Sequence, residues 1–486
     1  MSVESAITRY PDNWELTTLG QLCAEGDGAI QTGPFGSQLH ASDYIDNGIP
    51  SIMPKNISVE GISTEDIACI TDEDADRLSK YLVRNGDIIY SRRGDVEKCS
   101  LVTEKEEGWL CGTGCLRIRL GENSKVSPIF IHAYLSHPAI RGWIVRHAIG
   151  ATMPNLNTSI LSSVPVLIPS ADERIVIENI WRNTTKKIEL NRQINQTLEH
   201  IAQAIFKSWF VDFEPVKAKI QAKQNGQDPE RAAMRAISGK TDAELDAFLK
   251  ASLPERRQQL IATAALFPDE LEDSELGLIP KGWAWKPLYE TAGYVNGAVF
   301  KASDFSEDAK GLPIIKIAEL KQGISAGTKF TRGDFREKYK IRDGDMLYSW
   351  SGSPKTSLEV FKWFGGEGWL NQHIFKLNFV SKYQKYFTYF LLQYMKPVLI
   401  RTAQQKQTTG LGHVTVADMK RIKVPYPDEI MLGIFSSVVG PIYEQASCLQ
   451  KQVNTLSSLR DLLLPKLLSG EITAPLNQSS VDITPC

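Results

Sequence analysis

The sequence lacks any long hydrophobic segment, which limits where the protein can act. Among its 486 residues, no apolar run approaches the roughly 18 residues that a transmembrane helix needs. The opening residues MSVESAITRYPDNW also lack the basic start and apolar core of a secretory signal peptide. Cysteine is scarce, and seven cysteines scattered through a large chain indicate reduced thiols. We therefore expect a cytoplasmic protein that has no membrane partner.

Motifs for catalysis are missing as well. Gly352–Ser357 (GSPKTS) lacks the glycine spacing of a P-loop, and Pro354 removes an amide that would bind phosphate. Gly410–Thr415 (GLGHVT) lacks the third glycine of a dinucleotide-binding fingerprint. The sequence has no His-Glu-x-x-His and no Asn/Asp-Pro-Pro-aromatic tetrapeptide of the kind found in DNA methyltransferases. We therefore expect no enzymatic activity, no cofactor and no metal ion in this chain.

Two weaker chemical signals have simpler interpretations. Cys111 and Cys115 are spaced like zinc ligands, but no second pair of ligands follows, so we interpret them as ordinary strand cysteines. Asp87 or Asp345, with Glu and Lys residues downstream, would suit a metal-dependent nuclease. However, the Glu and Lys spacings differ between the two segments, and an Asp that caps a turn explains both positions.

Two long runs with heptad patterns predict a pair of long helices. Glu173–Asp212 contains no glycine and no proline, and such a helix would be about 60 Å long. This length favours a coiled coil or a spacer over an ordinary globular helix. Met431–Leu468 has the same character. The seam positions are Ile177, Trp181, Ile188, Asn191, Leu198 and Ile205 in the first run, and Phe435, Ile442, Leu449, Leu456 and Leu463 in the second.

Two polar residues on the first seam have two interpretations. Asn191 and Asn195 fall where the second run has Leu449 and Val453. In a coiled coil, a polar seam residue lowers stability but fixes the register. The alternative is that both lie on the solvated side of a merely amphipathic helix.

The two halves of the chain repeat the same motifs in the same order. RNGDIIYSRRGD (Arg84–Asp95) matches RDGDMLYSWSGS (Arg342–Ser353), and their shared glycines are 258 positions apart (344 − 86 = 258). The same offset aligns SSVPVLIP with KRIKVPYP and places Ile177 on Phe435. Each repeat mixes strand and helix patterns before its long run. This predicts an α+β fold with two similar α/β domains, a pair of long antiparallel coiled-coil helices and a pseudo-two-fold internal repeat.

Helix signals outside the long runs are weaker. Pro128–Ala148 and Lys385–Ala403 read as helices, the second bent or broken at Pro397. The stretch between the first long helix and the second repeat has no counterpart in the first repeat. In it, Thr241 and Glu244 are spaced as a capping box.

Polar, amide-rich and locally basic loops remain as a candidate binding surface. Gln and Asn can read adenine, Arg and Lys can read guanine, and Lys, Ser and Thr hold phosphates. The net charge of −2 gives no overall attraction to nucleic acid, so DNA would be bound by local patches. The candidate DNA-binding residues are Gln31, Thr32, Ser37, Gln38, Lys55, Arg92, Arg93, Arg141, Arg146, Asn155 and Asn157 in the first half, and Asn296, Lys301, Lys316, Trp350, Ser351, Lys355, Gln404, Gln405, Lys406, Gln407, Thr408 and His413 in the second.

Several motifs together make the sequence resemble the DNA-specificity subunits of type I restriction-modification systems. They are GPFGSQL with a following GIP, the two GD-(I/M)-(I/L)-Y-S segments, TTGLGH before VPYP, the helix LNRQINQTLEHIAQAIFKSWFVDF and the final SLRDLLLPKLLSGEI. The resemblance covers essentially the whole chain, from about Trp14 to Ile472.

The resemblance implies a non-catalytic subunit that reads a bipartite sequence in double-stranded DNA. Each globular domain would be a target recognition domain for one half-site, and the long helices would act as a ruler. The helices would also dock two adenine methyltransferase subunits and, in a full assembly, two restriction (motor-nuclease) subunits. Recognition domains vary greatly in this family, so our base-contacting residues rest on loop chemistry and repeat position.

This organisation implies six segments. They are recognition domain 1 (1–170), the first spacer helix (171–212), a connector (213–280), recognition domain 2 (281–428), the second spacer helix (429–470) and a disordered tail (471–486). The rival interpretation is a protein-binding coiled-coil adaptor without sequence-specific DNA binding. An enzyme is a third alternative and would require metal- or nucleotide-dependent turnover by the isolated chain.

Overall fold

The computed structural model of the protein describes residues 10–59, 61–150, 154–325, 327–406 and 411–472. They belong to two compact units: the first contains residues up to 192 together with those from 452 onward, and the second contains residues 193–451. Within the described ranges, none of the helices has both the length and the apolar character that crossing a membrane requires. Residues 473–486 of the expected disordered tail lie outside these ranges.

The first unit is built on three main antiparallel or mixed sheets. Its strands are β1 (Glu15–Thr18), β2 (Ala29–Thr32), β3 (Ile49–Ile52), β4 (Ile57–Ser58), β5 (Gly61–Ile62), β6 (Ala68–Ile70), β7 (Ile88–Ser91), β8 (Cys99–Leu101), β9 (Leu110–Cys111), β10 (Cys115–Arg119) and β11 (Pro165–Ile168). Its helices are α1 (Leu19–Glu25), α2 (Asp72–Arg77), α3 (Pro128–Ser136), α4 (Pro138–His147), α5 (Thr158–Ser162) and the start of α6 (Ala171–Phe210). The strand orders are β2-β10-β7-β8, β6-β3-β9 and β1-β11.

The second unit contains the end of α6 and most of the remaining elements. Its strands are β12 (Leu271–Glu272), β13 (Ile279–Pro280), β14 (Ala284–Pro287), β15 (Gly293–Asn296), β16 (Leu312–Ile315), β17 (Phe330–Thr331), β18 (Lys340–Ile341), β19 (Met346–Ser349), β20 (Ser351–Gly352), β21 (Glu359–Lys362), β22 (Gly368–Leu370), β23 (Ile374–Asn378), β24 (Gly412–His413) and β25 (Lys423–Tyr426). Its helices are α7 (Glu214–Gln224), α8 (Pro229–Ser238), α9 (Asp242–Ala251), α10 (Pro254–Leu266), α11 (Ile317–Gln322), α12 (Pro354–Ser357), α13 (Lys382–Gln404), α14 (Val416–Arg421) and the first part of α15 (Glu429–Leu468).

Strand order confirms the internal repeat. The sheet β15-β23-β19-β21 of the second unit has the order of β2-β10-β7-β8 in the first, and β14-β25 corresponds to β1-β11. In the third sheet, β3 pairs in parallel with β9 and antiparallel with β6. In the same way, β16 pairs in parallel with β22 and antiparallel with β17. The fold is therefore α+β with two similar domains, as the repeated motifs predict.

The turns that open the central strands explain the repeated Gly-Asp pairs. Gly86 and Gly344 have φ of 89° and 90°, a conformation that favours glycine. In the next position, Asp87 accepts a hydrogen bond from the backbone N–H of Arg84 at 2.8 Å. Asp345 accepts the equivalent bond from Arg342, also at 2.8 Å. The interpretation of both Asp residues as turn caps is confirmed.

Helices α6 and α15 are antiparallel in both units. In the first unit, Asn191 Nδ2 donates to Gln452 Oε1 at 3.0 Å. In the second unit, Asn195 Nδ2 lies 3.4 Å from Gln450 Oε1, and the Trp209 and Phe435 rings meet edge to face at 5.8 Å. Residues with increasing numbers along α6 therefore contact residues with decreasing numbers along α15. Asn191 is fully buried, so the solvated-face alternative is wrong for this residue.

The seam residues named from the heptads are all buried or half-buried. Fully buried or nearly so are Ile177, Trp181, Ile188, Asn191, Phe435 and Leu449, and half-buried are Leu198, Ile205, Ile442, Leu456 and Leu463. Toward the end of α6, the most buried side chains are instead Ala202, Phe206 and Trp209. They enter the core of the second unit, so the packing there is broader than a two-helix seam.

The helix expected to be bent or broken at Pro397 is continuous, and a break occurs in the first repeat instead. Helix α13 continues through Pro397, so of the two alternatives a break at this residue is wrong, and a bend there stays a prediction. In the first repeat, α3 and α4 are separated at His137 and Pro138. Pro138 begins α4, where its missing N–H costs no hydrogen bond. His137 has φ −62° and ψ 132°, the extended conformation that a residue before proline prefers.

The connector predicted for residues 213–280 contains four helices, α7 to α10. Phe213, between α6 and α7, has a left-handed conformation with φ 53° and ψ 37°, which is uncommon for a bulky residue. The predicted capping box is confirmed: the Glu244 side chain accepts from the Thr241 N–H at 2.8 Å, and Thr241 caps α9. Ala233, Met234, Leu245 and Ala264 form a small core of their own.

Candidate nucleic-acid interface

In the first unit, a short backbone bridge brings two predicted recognition residues together. The N–H of Leu156 donates to the carbonyl of Arg92 at 2.9 Å, and the N–H of Gly94 donates to Pro154 at 3.2 Å. Arg93 and Asn155 are therefore directly opposite each other in an antiparallel bridge. Between such flanking hydrogen bonds the two side chains lie close together on one face. Arg93 and Asn155 thus form one composite polar surface.

Basic and apolar groups surround this bridge. The Arg92 guanidinium lies 5.9 Å from the centre of the Phe35 ring, and Phe35 is exposed. Ile149, which is also exposed, pairs through its backbone with Asn155. Arg141 lies on helix α4 and is 3.8 Å from Glu97 in the loop after β7. An exposed aromatic ring beside a guanidinium is a combination that suits stacking against bases and contact with phosphates.

The second unit repeats the bridge at the same offset with different side chains. The N–H of Val414 donates to the carbonyl of Trp350 at 2.9 Å. Ser351 is directly opposite His413 where β20 pairs with β24. Adding 258 to Arg93 and Asn155 gives these two positions (93 + 258 = 351; 155 + 258 = 413). The backbone frame is therefore shared, while the displayed side chains differ.

Trp350 is the centre of the second surface. Its Nε1 donates to Asn296 Oδ1 at 3.1 Å. Its ring lies 5.8 Å from His373 and 5.7 Å from Phe375, centre to centre. Asn296 and His413 are exposed, and Trp350 is half-buried. The indole is thus held by neighbours on one side while part of it remains open to solvent.

Several predicted residues are engaged in holding the fold. Gln31 accepts from Arg117 at 2.6 Å, and Gln38 accepts from the Phe35 N–H at 3.1 Å and from the Tyr81 hydroxyl at 2.8 Å. Asn157 caps α5 by accepting from Ile160 at 2.8 Å. These amide oxygens already have partners in the protein, so each of these side chains would contact DNA mainly through its remaining groups.

Two predicted lysines are also bound by the protein. Lys55 Nζ donates to the carbonyl of Asp66 at 2.5 Å. Lys406 Nζ is 2.7 Å from Asp418, a buried carboxylate. Although burial of Asp418 acts to raise its pKa, hydrogen bonds from Lys406 and Thr415 hold the pKa at about 2. Lys406 is therefore neutralised by an internal partner.

The other predicted residues vary in exposure. Exposed are Ser37, Arg93, Arg146, Asn296, Lys301, Lys355, Gln404, Gln405 and His413, and half-buried are Thr32, Arg92, Arg141, Asn155, Lys316, Trp350 and Ser351. Gln407 and Thr408 lie outside the described residues. Lys316 Nζ lies 5.4 Å from the centre of the Phe305 ring.

Sequence reasoning missed two features of these surfaces. His373 and Phe35 were not predicted, although each lies beside a predicted residue. A visible signal was also missed: HASDY (40–44) and KASDF (301–305) recur in the two halves. In both, the Asp side chain accepts from the backbone of the first residue, His40 or Lys301, at 2.7 Å. The recurrence therefore marks the same capped turn in both units.

Comparison with known proteins extends over both repeats. The family described as "Type I restriction modification DNA specificity domain" matches residues 11–200 and 280–438. The chain is 28% identical over 407 residues to the type I restriction enzyme HindI specificity subunit of Haemophilus influenzae, covering 81% of this chain and 88% of that protein. It is 25% identical over 333 residues to the MjaIX specificity subunit of Methanocaldococcus jannaschii, covering 66% of this chain and 64% of that protein.

Solved structures show a weaker likeness. A type I restriction-modification S subunit from M. genitalium is 15% identical with a TM-score of 0.43, covering 94% of this chain and 96% of that one. The HsdS subunit from Thermoanaerobacter tengcongensis is 15% identical with a TM-score of 0.30, covering 95% and 98%.

Proposed function

The chain belongs to the family of type I restriction-modification DNA specificity domains, and from this premise we propose that its two recognition surfaces read the two halves of a bipartite target in double-stranded DNA. The observation that carries the proposal is the pair of equivalent bridges, Arg93 with Asn155 and Ser351 with His413. The same backbone frame presents different polar side chains in each unit. Two readers of this kind suit a target whose halves differ in sequence.

The side chains at the two bridges determine which DNA bases each unit can recognise by hydrogen bonds. Arg93 can donate two hydrogen bonds to guanine O6 and N7, whereas Asn155, whose Oδ1 is buried, can donate from its amide nitrogen to a base acceptor such as N7. In the second unit, Ser351 and His413 offer a hydroxyl and an imidazole, which are less selective for one base. We propose that Trp350 and Phe35 add stacking or apolar contact, and that Arg92, Arg141 and Lys355 contact phosphates.

We propose that helices α6 and α15 act as the ruler between half-sites. Each is 40 residues long, which is about 60 Å at 1.5 Å per residue. Modules on one face of a duplex are spaced by about 34–36 Å or multiples of it. A helical pair can hold such a spacing, whereas a flexible linker cannot.

Exposed apolar side chains on the same helices suit protein partners. Ile194 and Ile201, one heptad apart on α6, are exposed in the second unit. Leu459 and Leu462 are exposed on α15 in the first unit. We propose that these residues belong to the surfaces where two adenine methyltransferase subunits dock. Two restriction subunits would join in the full assembly.

The near-neutral charge fits an obligate assembly. A protein that binds DNA alone through many phosphates is usually basic, whereas this chain has a formal net charge of −2. The methyltransferase subunits would then supply part of the clamp. We expect steep salt dependence of DNA binding in the complex and weak binding by the isolated chain. Tight, salt-sensitive binding by the isolated chain would contradict this division of roles.

The direct test is to map adenine methylation in a host that carries this chain with its methyltransferase subunit. We expect a two-part motif with a fixed gap. Exchange of residues 1–150 with those of a relative should change one half-site alone, and removal of one heptad from both α6 and α15 should change the gap alone. Absence of any sequence-selective methylation or DNA protection would favour the protein-binding adaptor.

A further inference from the structure

A buried ion pair joins the recognition sheet of the second unit to helix α6. Lys362 is the last residue of β21, and its Nζ lies 2.5 Å from Glu199 Oε1. The side chains are only 8% and 20% exposed. Lys362 and Glu199 are 163 residues apart in the chain. This contact therefore ties the globular domain to its spacer helix.

The same carboxylate gathers two further elements. The Tyr389 hydroxyl of α13 donates to Glu199 Oε1 at 3.0 Å, and Gln393 Nε2 donates to Oε2 at 3.1 Å. The ammonium of Lys362 lies 4.7 Å from the Tyr389 ring centre and 4.3 Å from that of Tyr443 on α15. Burial lowers the pKa of Lys362, and the charge of Glu199 opposes this shift. One ion pair thus connects β21, α13, α6 and α15.

The first unit has no ion pair at the equivalent positions. Strand pairing aligns Lys362 with Leu101, because Met346 is opposite Lys362 as Ile88 is opposite Leu101. The offset of 258 aligns Glu199 with Ser457 (199 + 258 = 457) and Tyr389 with Ile131 (389 − 258 = 131). The ion pair is therefore a feature of the second unit and not of the shared fold.

Stability alone does not account for such a pair. Replacing a buried ion pair with well-packed apolar residues is often neutral or stabilising, because both charges must be desolvated. The pair adds geometric specificity. A carboxylate that accepts from three donors is satisfied in one arrangement of the elements, whereas apolar side chains can pack in several. Directional contacts of this kind restrict how the sheet can sit on the helices.

We propose that Glu199 and Lys362 are positioning residues that fix the angle of the second recognition sheet on its spacer helices, and so restrict the gap between half-sites that the protein accepts. The inference rests on the proposed function. In this proposal, neither Glu199 nor Lys362 contacts DNA. Both act by holding the surface around Trp350 and His413 in one orientation, so their removal should relax the gap without changing the bases read.

The test uses the full chain in complex with its methyltransferase subunits. The double variant Lys362→Met with Glu199→Gln removes both charges, while Gln keeps an acceptor for Tyr389 and Met keeps the apolar stem. Methylation rates are measured on duplexes with fixed half-sites and a gap that is one base pair shorter, natural or one base pair longer. We expect the ratio of off-gap to natural-gap methylation to rise about tenfold, which corresponds to about 1.4 kcal/mol.

A matched control is available on the same elements. Lys396 of α13 and Glu359 of β21 form an ion pair at 3.2 Å that does not involve α6. Its double variant, Lys396→Met with Glu359→Gln, should leave the gap ratio unchanged. If the first variant folds poorly, the milder double variant Tyr389→Phe with Gln393→Leu, which removes two donors to Glu199 and keeps both charges, supplies the second measurement, and it should raise the off-gap ratio by a smaller factor.

The outcomes separate the two proposals. If the wild-type complex methylates no bipartite duplex selectively, the proposed function fails and this inference fails with it. If the wild-type complex selects the gap and the uncharged variant selects it equally well, only the positioning role is overturned. An unchanged gap ratio in the Tyr389 and Gln393 variant, or a relaxed gap in the Lys396 control, would also overturn it.

Discussion

Asp87 in the first unit and Asp345 in the second occupy the same position of the repeat, yet they are neutralised differently. Asp87 is 2% exposed and receives two hydrogen bonds from Arg119, at 2.7 and 2.5 Å. Asp345 is 23% exposed and pairs with Lys376 at 2.8 Å. Both cap the same turn. The backbone of the repeat thus requires the Asp, while the cation that balances it and the depth of burial are free to vary.

The joints between each domain and its helices differ in the same way. In the first unit, Trp181 Nε1 donates to His132 at 3.2 Å, and Arg460 lies 5.1 Å from the Trp181 ring. In the second, the joint is the pair of Glu199 and Lys362. The strand order is therefore conserved between the halves while charges have been placed independently. Matched substitutions in the two units can separate what the fold needs from what each half needs.

The largest difference is expected at the turn caps. Asp87→Asn should destabilise the protein by about 3–5 kcal/mol, because the buried Arg117 guanidinium, 3.8 Å from Asp87, and Arg119 lose their shared countercharge. Asp345→Asn should cost about 1 kcal/mol, because this carboxylate is itself 23% exposed to solvent. Urea unfolding of the two variants measures this, with Asp95→Asn, at an exposed pair with Lys98, as the control. Equal losses for Asp87 and Asp345 would show that burial does not distinguish the caps.

Acid should affect the first unit more than the second. Burial lowers the pKa of His137 from 6.5 to about 4, and its neutral Nδ1 accepts from the Ala139 N–H at 3.0 Å to cap α4. Because the unfolded chain takes up the proton first, stability is present above pH 6.5 and is lost as the pH falls toward 4.

The expected loss is on the order of 3 kcal/mol, at 1.36 kcal/mol per pKa unit. His137→Asn keeps a capping oxygen and cannot titrate, so its unfolding free energy should not show this fall. The equivalent residue in the second repeat is Met395 (137 + 258 = 395). If the unfolding free energies of wild type and variant fall in parallel as the pH is lowered, His137 is not the cause of the loss.

Substitutions at the two bridges should act on separate half-sites. Arg93→Ala with Asn155→Ala should reduce base discrimination in one half of the target by about 10- to 100-fold, since each good bidentate contact gives about 1–3 kcal/mol. Ser351→Ala with His413→Ala should affect only the other half and to a smaller extent. Methylation of a randomised duplex library reports both halves at once. Lys105→Ala, an exposed lysine away from the bridges, is the control, and a change in both half-sites from one pair would contradict independent readers.

The smallest effect is expected within the helix pair. Asn191 is fully buried and its Oδ1 has no hydrogen-bond partner, although its Nδ2 contacts Gln452. Asn191→Leu should therefore raise stability by about 1 kcal/mol, with some loss of register specificity. Asn195→Leu, at a half-buried position, should change stability less. Thermal unfolding of both variants measures the difference, and a destabilised Asn191→Leu would show that the polar contact outweighs the unsatisfied oxygen.

Patterns that act locally could be predicted from the sequence. The repeat, the long helices, the Gly-Asp turns and the Thr241 capping box each depend on residues that are neighbours in the chain. The role of Pro397 could not be read in this way, because Pro138 and Pro397 both stand in helical patterns and only tertiary packing decides where a helix ends.

The occupied side chains of the candidate surfaces were also beyond sequence reasoning. Gln31 looked available, but Arg117, 86 residues later, supplies its partner. The Glu199 and Lys362 joint spans 163 residues. Heptads and loop composition contain no information on such long-range pairings. The bridge positions differ in this respect, because the offset of the repeat gives those of the second unit once those of the first are known.

The split of the first unit has a consequence for its biosynthesis. Leu464, Leu467 and Leu468 of α15 are part of the same core as Leu22 and Ile168. A ribosome must therefore add the 259 residues between Arg192 and Gln452 before this core can close (451 − 192 = 259). At about 5–20 residues per second, the delay is roughly 13–50 seconds. The half of the protein that is translated first is then the last to mature, and its unfinished apolar surface is what a nascent-chain chaperone would meet.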